Sequence, residues 1–104
     1  FAEIVRVAAT LGADPVTLNG LSGFGDLVLT CSSEASRNSR AGLALGRGEA
    51  LPANTTTEGV ATARATLDLA QKHTLDLPIT RVVTALASGE LQVTDAMDML
   101  LSRP

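Results

Sequence analysis

Apolar residues recur at helical spacing from the first residue of the chain. Four of them stand at i, i+3, i+4 and i+7, the pattern of one face of an α-helix: Phe1, Ile4, Val5 and Ala8. This stripe predicts a helix over residues 1–11, which Gly12 ends. No Ser, Thr, Asp or Asn stands before the stripe as an N-cap, so the pattern begins in the middle of a helical turn. We therefore expect the chain to be a fragment of a longer protein.

The next segment is punctuated by glycines and predicts short helices. Asp14 followed by Pro15 is a capping residue followed by a first-turn proline, which predicts a helix over about residues 15–20. Residues 26–33 read as one or two helical turns, although Leu27-Val28-Leu29 also fits a short buried strand. The sequence leaves both interpretations open.

The second half of the chain predicts longer helices with recognisable starts. After a loop over residues 51–56, these are a helix over 58–73, one that Pro78 opens and Gly89 stops, and a last one capped by Thr94. Their apolar positions repeat at helical spacing and predict the core: Val60, Ala63, Leu67, Ala70, Ile79, Val82, Val83, Leu86, Ala96, Met97, Leu100 and Leu101.

No run alternates apolar and polar residues for long enough to predict a sheet. The prediction is an all-α fold, a single-core bundle of about five or six helices with short connections, in one domain over residues 1–104. Aromatic residues make up only 2% of the chain, so aliphatic side chains must fill the core.

Charge and cysteine usage exclude several classes of protein. Eight basic against eleven acidic residues give a net charge of −3, whereas a nucleic-acid-binding domain normally carries a basic face. The uncharged apolar stretches, residues 27–33 among them, are all far below the ~20 residues of a membrane helix, so no membrane insertion is predicted. A single cysteine, Cys31, allows no internal disulfide and indicates a reducing, cytoplasmic location.

The two residues with possible metal or redox chemistry, Cys31 and His73, have simpler interpretations. Cys31 has no second cysteine and only a distant histidine, so it is predicted to be a small buried residue. His73 falls in the last turn of a helix, where it interacts with the helix dipole or solvent. No metal site is predicted.

Ser36, Arg37 and Asn38 form the most informative polar cluster. Ser36 predicts the N-cap of a helix over residues 37–45 that ends at Gly46. The first turn of a helix offers free N–H groups and a positive dipole end, and arginine adds a planar charged fork, so the cluster suits a phosphate. The simpler alternative is a capped surface helix with a solvated arginine.

Two further clusters contain polar residues that could carry chemistry, and each has a structural interpretation. If residues 23–30 are helical, Gly23, Asp26 and Thr30 share one small polar face. Alternatively Asp26 is a helix cap and Thr30 is solvated or bonded to the backbone. Glu58-Gly59 follows three threonines and predicts a helix start, where an acidic residue is favourable against the dipole.

Taken together, these segments resemble a known family. The run from Leu21 to Cys31, LSGFGDLVLTC, then Ser36-Arg37-Asn38 and Leu45-Gly46, is similar to the C-terminal domain of bacterial NAD(P)-dependent glycerol-3-phosphate dehydrogenase. Thr57-Glu58-Gly59-Val60 and Leu77-Pro78-Ile79 match the same family in the same order. The resemblance covers about residues 3 to 102.

The resemblance implies a set of site residues. The substrate would be bound by Asp26, Thr30, Ser36, Arg37 and Asn38, with Arg37 and Asn38 at its phosphate. The dinucleotide would be contacted by Arg37, by Glu58 and, through its backbone, by Thr56. The family's catalytic lysine belongs to a segment that precedes Phe1, and Lys72, the single lysine of this chain, does not match its motif. No catalytic residue is therefore expected in this chain.

The implied enzyme interconverts sn-glycerol 3-phosphate and dihydroxyacetone phosphate for glycerophospholipid synthesis. NAD or NADP would be bound mainly by an N-terminal Rossmann domain, and the helical domain would be inactive alone. The sequence decides neither the choice of NAD or NADP nor the net direction, and it leaves a homodimer open. The alternative from another class is a free-standing all-α module that binds a protein partner.

Overall fold

The chain folds into seven α-helices within the part of it that the structure describes. The computed structural model describes residues 1–51 and 56–102, with the backbone alone at residues 56 and 57. The helices are α1 (Ala2–Thr10), α2 (Pro15–Leu18), α3 (Asp26–Cys31), α4 (Arg37–Gly46), α5 (Thr56–His73), α6 (Pro78–Ala87) and α7 (Val93–Leu101). A π-helical turn, Leu21–Gly25, leads into α3. These residues contain no strand, so the all-α prediction is confirmed.

Most predicted helix ends are confirmed, because they depend on local interactions. The N–H of Ala13 donates to the carbonyl of Ala8 (2.9 Å) and that of Gly12, at φ +87°, to Ala9 (3.1 Å), which closes α1 as a Schellman motif. The N–H of Val16 donates to Oδ1 of Asp14 (2.9 Å), the predicted cap of α2.

Two predictions about local structure are settled differently. Leu27-Val28-Leu29 lies inside α3, so the helical alternative holds and the strand does not. The prediction that Thr94 caps the last helix is wrong. The N–H of Ala96 donates to the carbonyl of Gln92 (3.0 Å), so α7 starts at Val93 and Thr94 lies within its first turn. Of the predicted loop over 51–56, residues 52–55 lie outside the described residues.

Mostly small residues form the buried core. The buried apolar side chains are Ala44, Ala70, Leu77, Val82 and Ala96, and Leu77 is the most enclosed at 1% exposed. Ala70 lies in α5, Val82 in α6 and Ala96 in α7, so alanines and a valine let these helices approach closely. Leu77 was expected only as a connector, yet it fills the core at the start of α6.

Part of the predicted apolar stripe is exposed instead of buried. Met97 is 54% and Leu101 76% exposed, contrary to the prediction that both face inward. The physical reason is that α7 packs mainly on α6, and one helix covers only a narrow face of its neighbour. Ile79 and Val83 of α6 are also about half exposed, because they line a groove described below.

Glu3 is a buried charged residue that the hydrophobic pattern did not reveal. Its carboxylate accepts hydrogen bonds from the N–H groups of Ile79 (2.5 Å) and Thr80 (3.0 Å) and from the Thr80 hydroxyl (2.7 Å). The N-cap residue of α6, Leu77, has no side-chain cap of its own. Glu3 therefore caps α6 from α1 and joins the two helices.

These hydrogen bonds also set the proton affinity of Glu3. Burial raises the pKa of the carboxyl, but the bonds from the Thr80 hydroxyl and from the two backbone N–H groups, with nearby Arg6, lower it further than burial raises it. The pKa of Glu3 is therefore below the ordinary value, and the group is ionised at neutral pH.

Candidate functional site

An open groove of about 760 Å³ runs between α1, α4, α5 and α6. Three of the predicted site residues line it, namely Arg37 and Asn38 from the start of α4 and Glu58 from the start of α5. The walls are mostly small or apolar: Ile4, Ala41, Gly42, Leu45, Leu51, Gly59, Val60, Thr62, Ala63, Ile79, Thr80, Val83 and Ala87. Polar groups thus converge where two helices begin, beside an apolar floor.

The start of α4 has the geometry of an anion site. Ser36 accepts a hydrogen bond on its hydroxyl oxygen from the N–H of Ser39 (3.3 Å), so the predicted N-cap is confirmed. Arg37 and Asn38 are the first two residues of the helix, and both are exposed. Across residues 1–51 and 56–102 neither side chain makes a hydrogen bond or an ion pair. Both are therefore available to a ligand.

The start of α5 meets the start of α4. Glu58 is exposed in the first turn of α5, where its charge is favourable against the helix dipole. The next residue, Gly59, lies against Asn38, since a Cβ at Gly59 would be 2.8 Å from Oδ1 of Asn38. Two positive helix ends and one guanidinium therefore surround this end of the groove, with a single carboxylate among them.

Sequence reasoning missed the walls that α1 and α6 contribute. Ile4 is 41%, Ile79 52% and Val83 46% exposed, because all three open onto the groove. Thr80 lines the groove, and its hydroxyl donates a hydrogen bond to the carboxylate of Glu3. The one available signal was an acidic residue, Glu3, within an apolar helical stripe.

Asp26, Thr30 and Ser36 do not line this groove. Asp26 is exposed at the start of α3 and Thr30 is half-buried one turn later, so the two lie at i and i+4 on the same side of the helix. The alternative that Asp26 caps α3 is wrong, because the N-cap residue is Gly25 and no side-chain cap bond is present.

Gly23 has a packing role in place of the predicted shared face. It lies in the π-helical turn, and a Cβ there would be 2.0 Å from the carbonyl oxygen of Leu18. Only glycine allows this approach of the turn to the end of α2. The rings of Phe1 and Phe24 meet edge to face with centroids 5.1 Å apart, which joins the same turn to the start of α1.

The remaining predicted residues are placed as follows. Cys31 is exposed at the end of α3, so the prediction that it is buried is wrong; α3 packs mainly on the π-helical turn, which leaves its far end uncovered. His73 is exposed in the last turn of α5, as expected. The side chain of Thr56 lies outside the described residues.

The described residues also bear on metal binding and membranes. Nowhere among them do three His, Cys, Asp or Glu side chains come together as metal ligands. Within the same ranges, no helix has the length and apolar character needed to cross a bilayer.

The described residues form an all-α fold with a groove that gathers polar side chains where two helices begin. The chain belongs to the family described as NAD-dependent glycerol-3-phosphate dehydrogenase C-terminus, whose model matches residues 1–98. This confirms the resemblance drawn from the sequence motifs.

Relatives support the same family over the whole chain. The chain is 58% identical to a glycerol-3-phosphate dehydrogenase [NAD(P)+] of a Ruegeria species over 104 residues, covering 32% of that protein. It is 54% identical to the protein of that name from Paracoccus denitrificans and 55% to that from Cereibacter sphaeroides, covering 33% and 34% of them. The chain thus spans about a third of the length of these curated relatives. No solved structure matches it.

Proposed function

We propose that this chain is the substrate-binding helical domain of an enzyme that interconverts sn-glycerol 3-phosphate and dihydroxyacetone phosphate with NAD or NADP. One observation carries the proposal. Arg37 and Asn38, with no partner among the described side chains, stand at the capped start of α4 in the same groove as Glu58. The relatives named above, which match this chain over its full length, are named glycerol-3-phosphate dehydrogenase [NAD(P)+].

The phosphate of the substrate would bind at the start of α4. Arg37 offers a permanently charged fork, and the free N–H groups of the first turn add donors at the positive end of the helix dipole. Asn38 adds a carboxamide donor beside them, and Ser36 keeps the turn in shape by capping it. Phosphate binding supplies the energy that orients the reacting carbon.

The reacting hydroxyl would lie nearer to α3. Asp26 and Thr30 present a carboxylate and a hydroxyl from one side of that helix. Oxidation of a secondary alcohol needs a base for the hydroxyl proton, and we assign that role to a lysine outside this chain, which Asp26 and Thr30 would hold in line.

The residues at the start of α5 fit a dinucleotide. NAD or NADP, when bound, accepts or supplies the hydride. A carboxylate repels phosphate but accepts hydrogen bonds from hydroxyl groups, so Glu58 suits a ribose hydroxyl. Arg37 carries the charge that a pyrophosphate needs, and Thr56 would contribute through its backbone.

The rest of the enzyme would lie outside residues 1–104. We assign residues 1–104 to the helical domain, and the nucleotide fold and the lysine to an N-terminal Rossmann domain that packs against it. We propose that the enzyme is cytoplasmic and supplies precursors for glycerophospholipid synthesis.

The test is oxidation of NADH by the full-length protein that contains this domain, with dihydroxyacetone phosphate as substrate and NADPH in parallel. We expect turnover by the full-length protein and none by residues 1–104 alone, because the base and the nucleotide fold are outside them. If the full-length protein oxidises neither NADH nor NADPH, the proposal is contradicted. The alternative, an all-α module that binds a protein partner, would then be favoured. Turnover by residues 1–104 alone would contradict the assignment of the base and the nucleotide fold to a segment outside them.

A further inference from the structure

Gly59 is a helical glycine that the helix itself does not require. It is the fourth residue of α5, and it is not one of the glycines at positive φ, which among the described residues are Gly12, Gly48 and Gly89. Its backbone conformation is therefore open to any residue. Glycine is a poorer helix former than alanine, so the reason for it here lies in the missing side chain.

The space beside Gly59 is taken by one side chain. A Cβ at position 59 would lie 2.8 Å from Oδ1 and 3.8 Å from Cγ of Asn38. The shorter distance is well inside even a close C···O contact of about 3.3 Å. No other heavy atom of the described residues comes within 4 Å of that Cβ, apart from chain neighbours and the backbone of the helix.

The asparagine, and not the helices, would give way to a methyl group at this position. Asn38 is exposed, and its side chain makes no hydrogen bond within the described residues, so its carboxamide can turn at little cost. A substitution at Gly59 should therefore move Asn38 while leaving the fold intact. Stability and ligand binding would respond differently to the same change.

The geometry points to Gly59 as a positioning residue for Asn38. Because Gly59 has no side chain, the carboxamide of Asn38 can lie against the start of α5, in the groove beside Arg37. This inference rests on the proposed function, in which Asn38 binds the phosphate of the substrate.

The kinetic test compares Gly59→Ala with Gly46→Ala in the full-length protein. Gly46 is the matched control, because it is also helical, lacks a positive φ, has nothing within 4 Å of a built Cβ and does not line the groove. For Gly59→Ala we expect KM for dihydroxyacetone phosphate to rise at least fivefold, with kcat within twofold and KM for NADH unchanged. The thermal midpoint should be equal or higher, and Gly46→Ala should leave both KM values unchanged.

A double variant tests whether the effect passes through Asn38. In an Asn38→Ala background there is no carboxamide to displace, so adding Gly59→Ala should change KM no further. Independent, additive effects would overturn the inference. A rise of KM for NADH in place of KM for dihydroxyacetone phosphate would also overturn it, because that result would mean that Gly59 positions Glu58 and not Asn38.

A spectroscopic measurement separates this inference from the proposed function. With ¹⁵N-labelled asparagine, the side-chain amide signals of Asn38 should shift in Gly59→Ala and stay in place in Gly46→Ala. Shifted signals in a protein without dehydrogenase turnover would support the positioning of Asn38 while the proposed function fails. Unmoved signals would overturn the inference whatever the activity.

Discussion

At the scale of single residues, Asp26 carries a charge that the fold does not use. It is the first residue of α3, its side chain caps nothing, and it is exposed one turn before Thr30. The first turn of a six-residue helix gains little from one acidic residue. The chemistry of this carboxylate is therefore available to a group outside the chain.

Asp26→Asn should separate catalysis from stability in the full-length protein. The amide keeps the shape of the side chain and loses the charge that would hold a lysine in place. We expect the turnover number to fall at least tenfold, which corresponds to about 1.4 kcal/mol of barrier, with the thermal midpoint nearly unchanged. Turnover and thermal unfolding of the same preparation are the measurements.

Asp14→Asn is the matched control for this change. Asp14 caps α2, and asparagine caps a helix about as well as aspartate, so both turnover and thermal midpoint should stay at their wild-type values. If Asp26→Asn behaves like this control, Asp26 has no role in turnover. A large fall in its thermal midpoint would make the residue structural.

The residues of the groove differ in how far the sequence could predict them. Arg37 and Asn38 follow a serine cap, and Glu58 stands in a first turn, so local pattern and family motif were enough to single them out. Gly23 and Gly59 are needed for close approaches to Leu18 and Asn38. Those contacts join different elements, and no local pattern encodes them.

At the scale of elements, the bond between Glu3 and the start of α6 ties α1 to one wall of the groove. Glu3 precedes Ile4, and the two residues that donate to it, Ile79 and Thr80, also line the groove. A buried carboxylate at the start of a helix is stabilising while it is ionised and fully hydrogen-bonded.

Glu3→Gln should lower the free energy of unfolding by about 1–3 kcal/mol at pH 7, because one hydrogen-bonded charge is lost. Because the folded pKa of Glu3 is lowered from 4.5, its contribution is complete above the unfolded pKa and is lost as the pH falls through the folded value. The difference between wild type and variant should therefore shrink in acid. Urea unfolding of the full-length protein at a series of pH values from 7 to 3 measures it.

The control for this experiment is Glu49→Gln, at an exposed residue beyond α4. It makes the same chemical change without a buried bond, so the free energy of unfolding should move by less than about 0.5 kcal/mol. A Glu3→Gln variant whose deficit stays constant from pH 7 to pH 3 would contradict the charge-based account of this cap.

Helices themselves were predictable here, and their exposed faces were not. Prolines, glycines and serine caps act within a few residues, so the bounds of α1, α4 and α6 agree with the local signals. Which side of a helix is covered depends on its neighbours, and this is why Met97 and Leu101 are exposed and Leu77 is buried. The cap on α6 escaped prediction for the same reason, since Glu3 lies 76 residues from Ile79.

At the scale of the whole molecule, the described helices bring polar side chains from two helix starts to one groove. The groove gathers an arginine, a carboxamide and a carboxylate where α4 and α5 begin, and the chain spans about a third of its curated relatives. In the proposed enzyme this domain recognises the phosphate and the remaining two thirds supply the base and the nucleotide fold.

The most direct test of this account is a comparison of dihydroxyacetone phosphate with unphosphorylated dihydroxyacetone in full-length wild type, Arg37→Ala and Arg37→Lys. Arg37→Ala removes a charge-assisted bond worth about 1.5–3 kcal/mol, so kcat/KM for the phosphorylated substrate should fall roughly ten- to a hundredfold. With NADH saturating, so that any loss of cofactor binding is compensated, activity on dihydroxyacetone should be unchanged. Arg37→Lys should recover only part of the loss on dihydroxyacetone phosphate, because it keeps the charge without the fork. Equal losses on both substrates, or no loss on either, would contradict the claim that the start of α4 binds the phosphate.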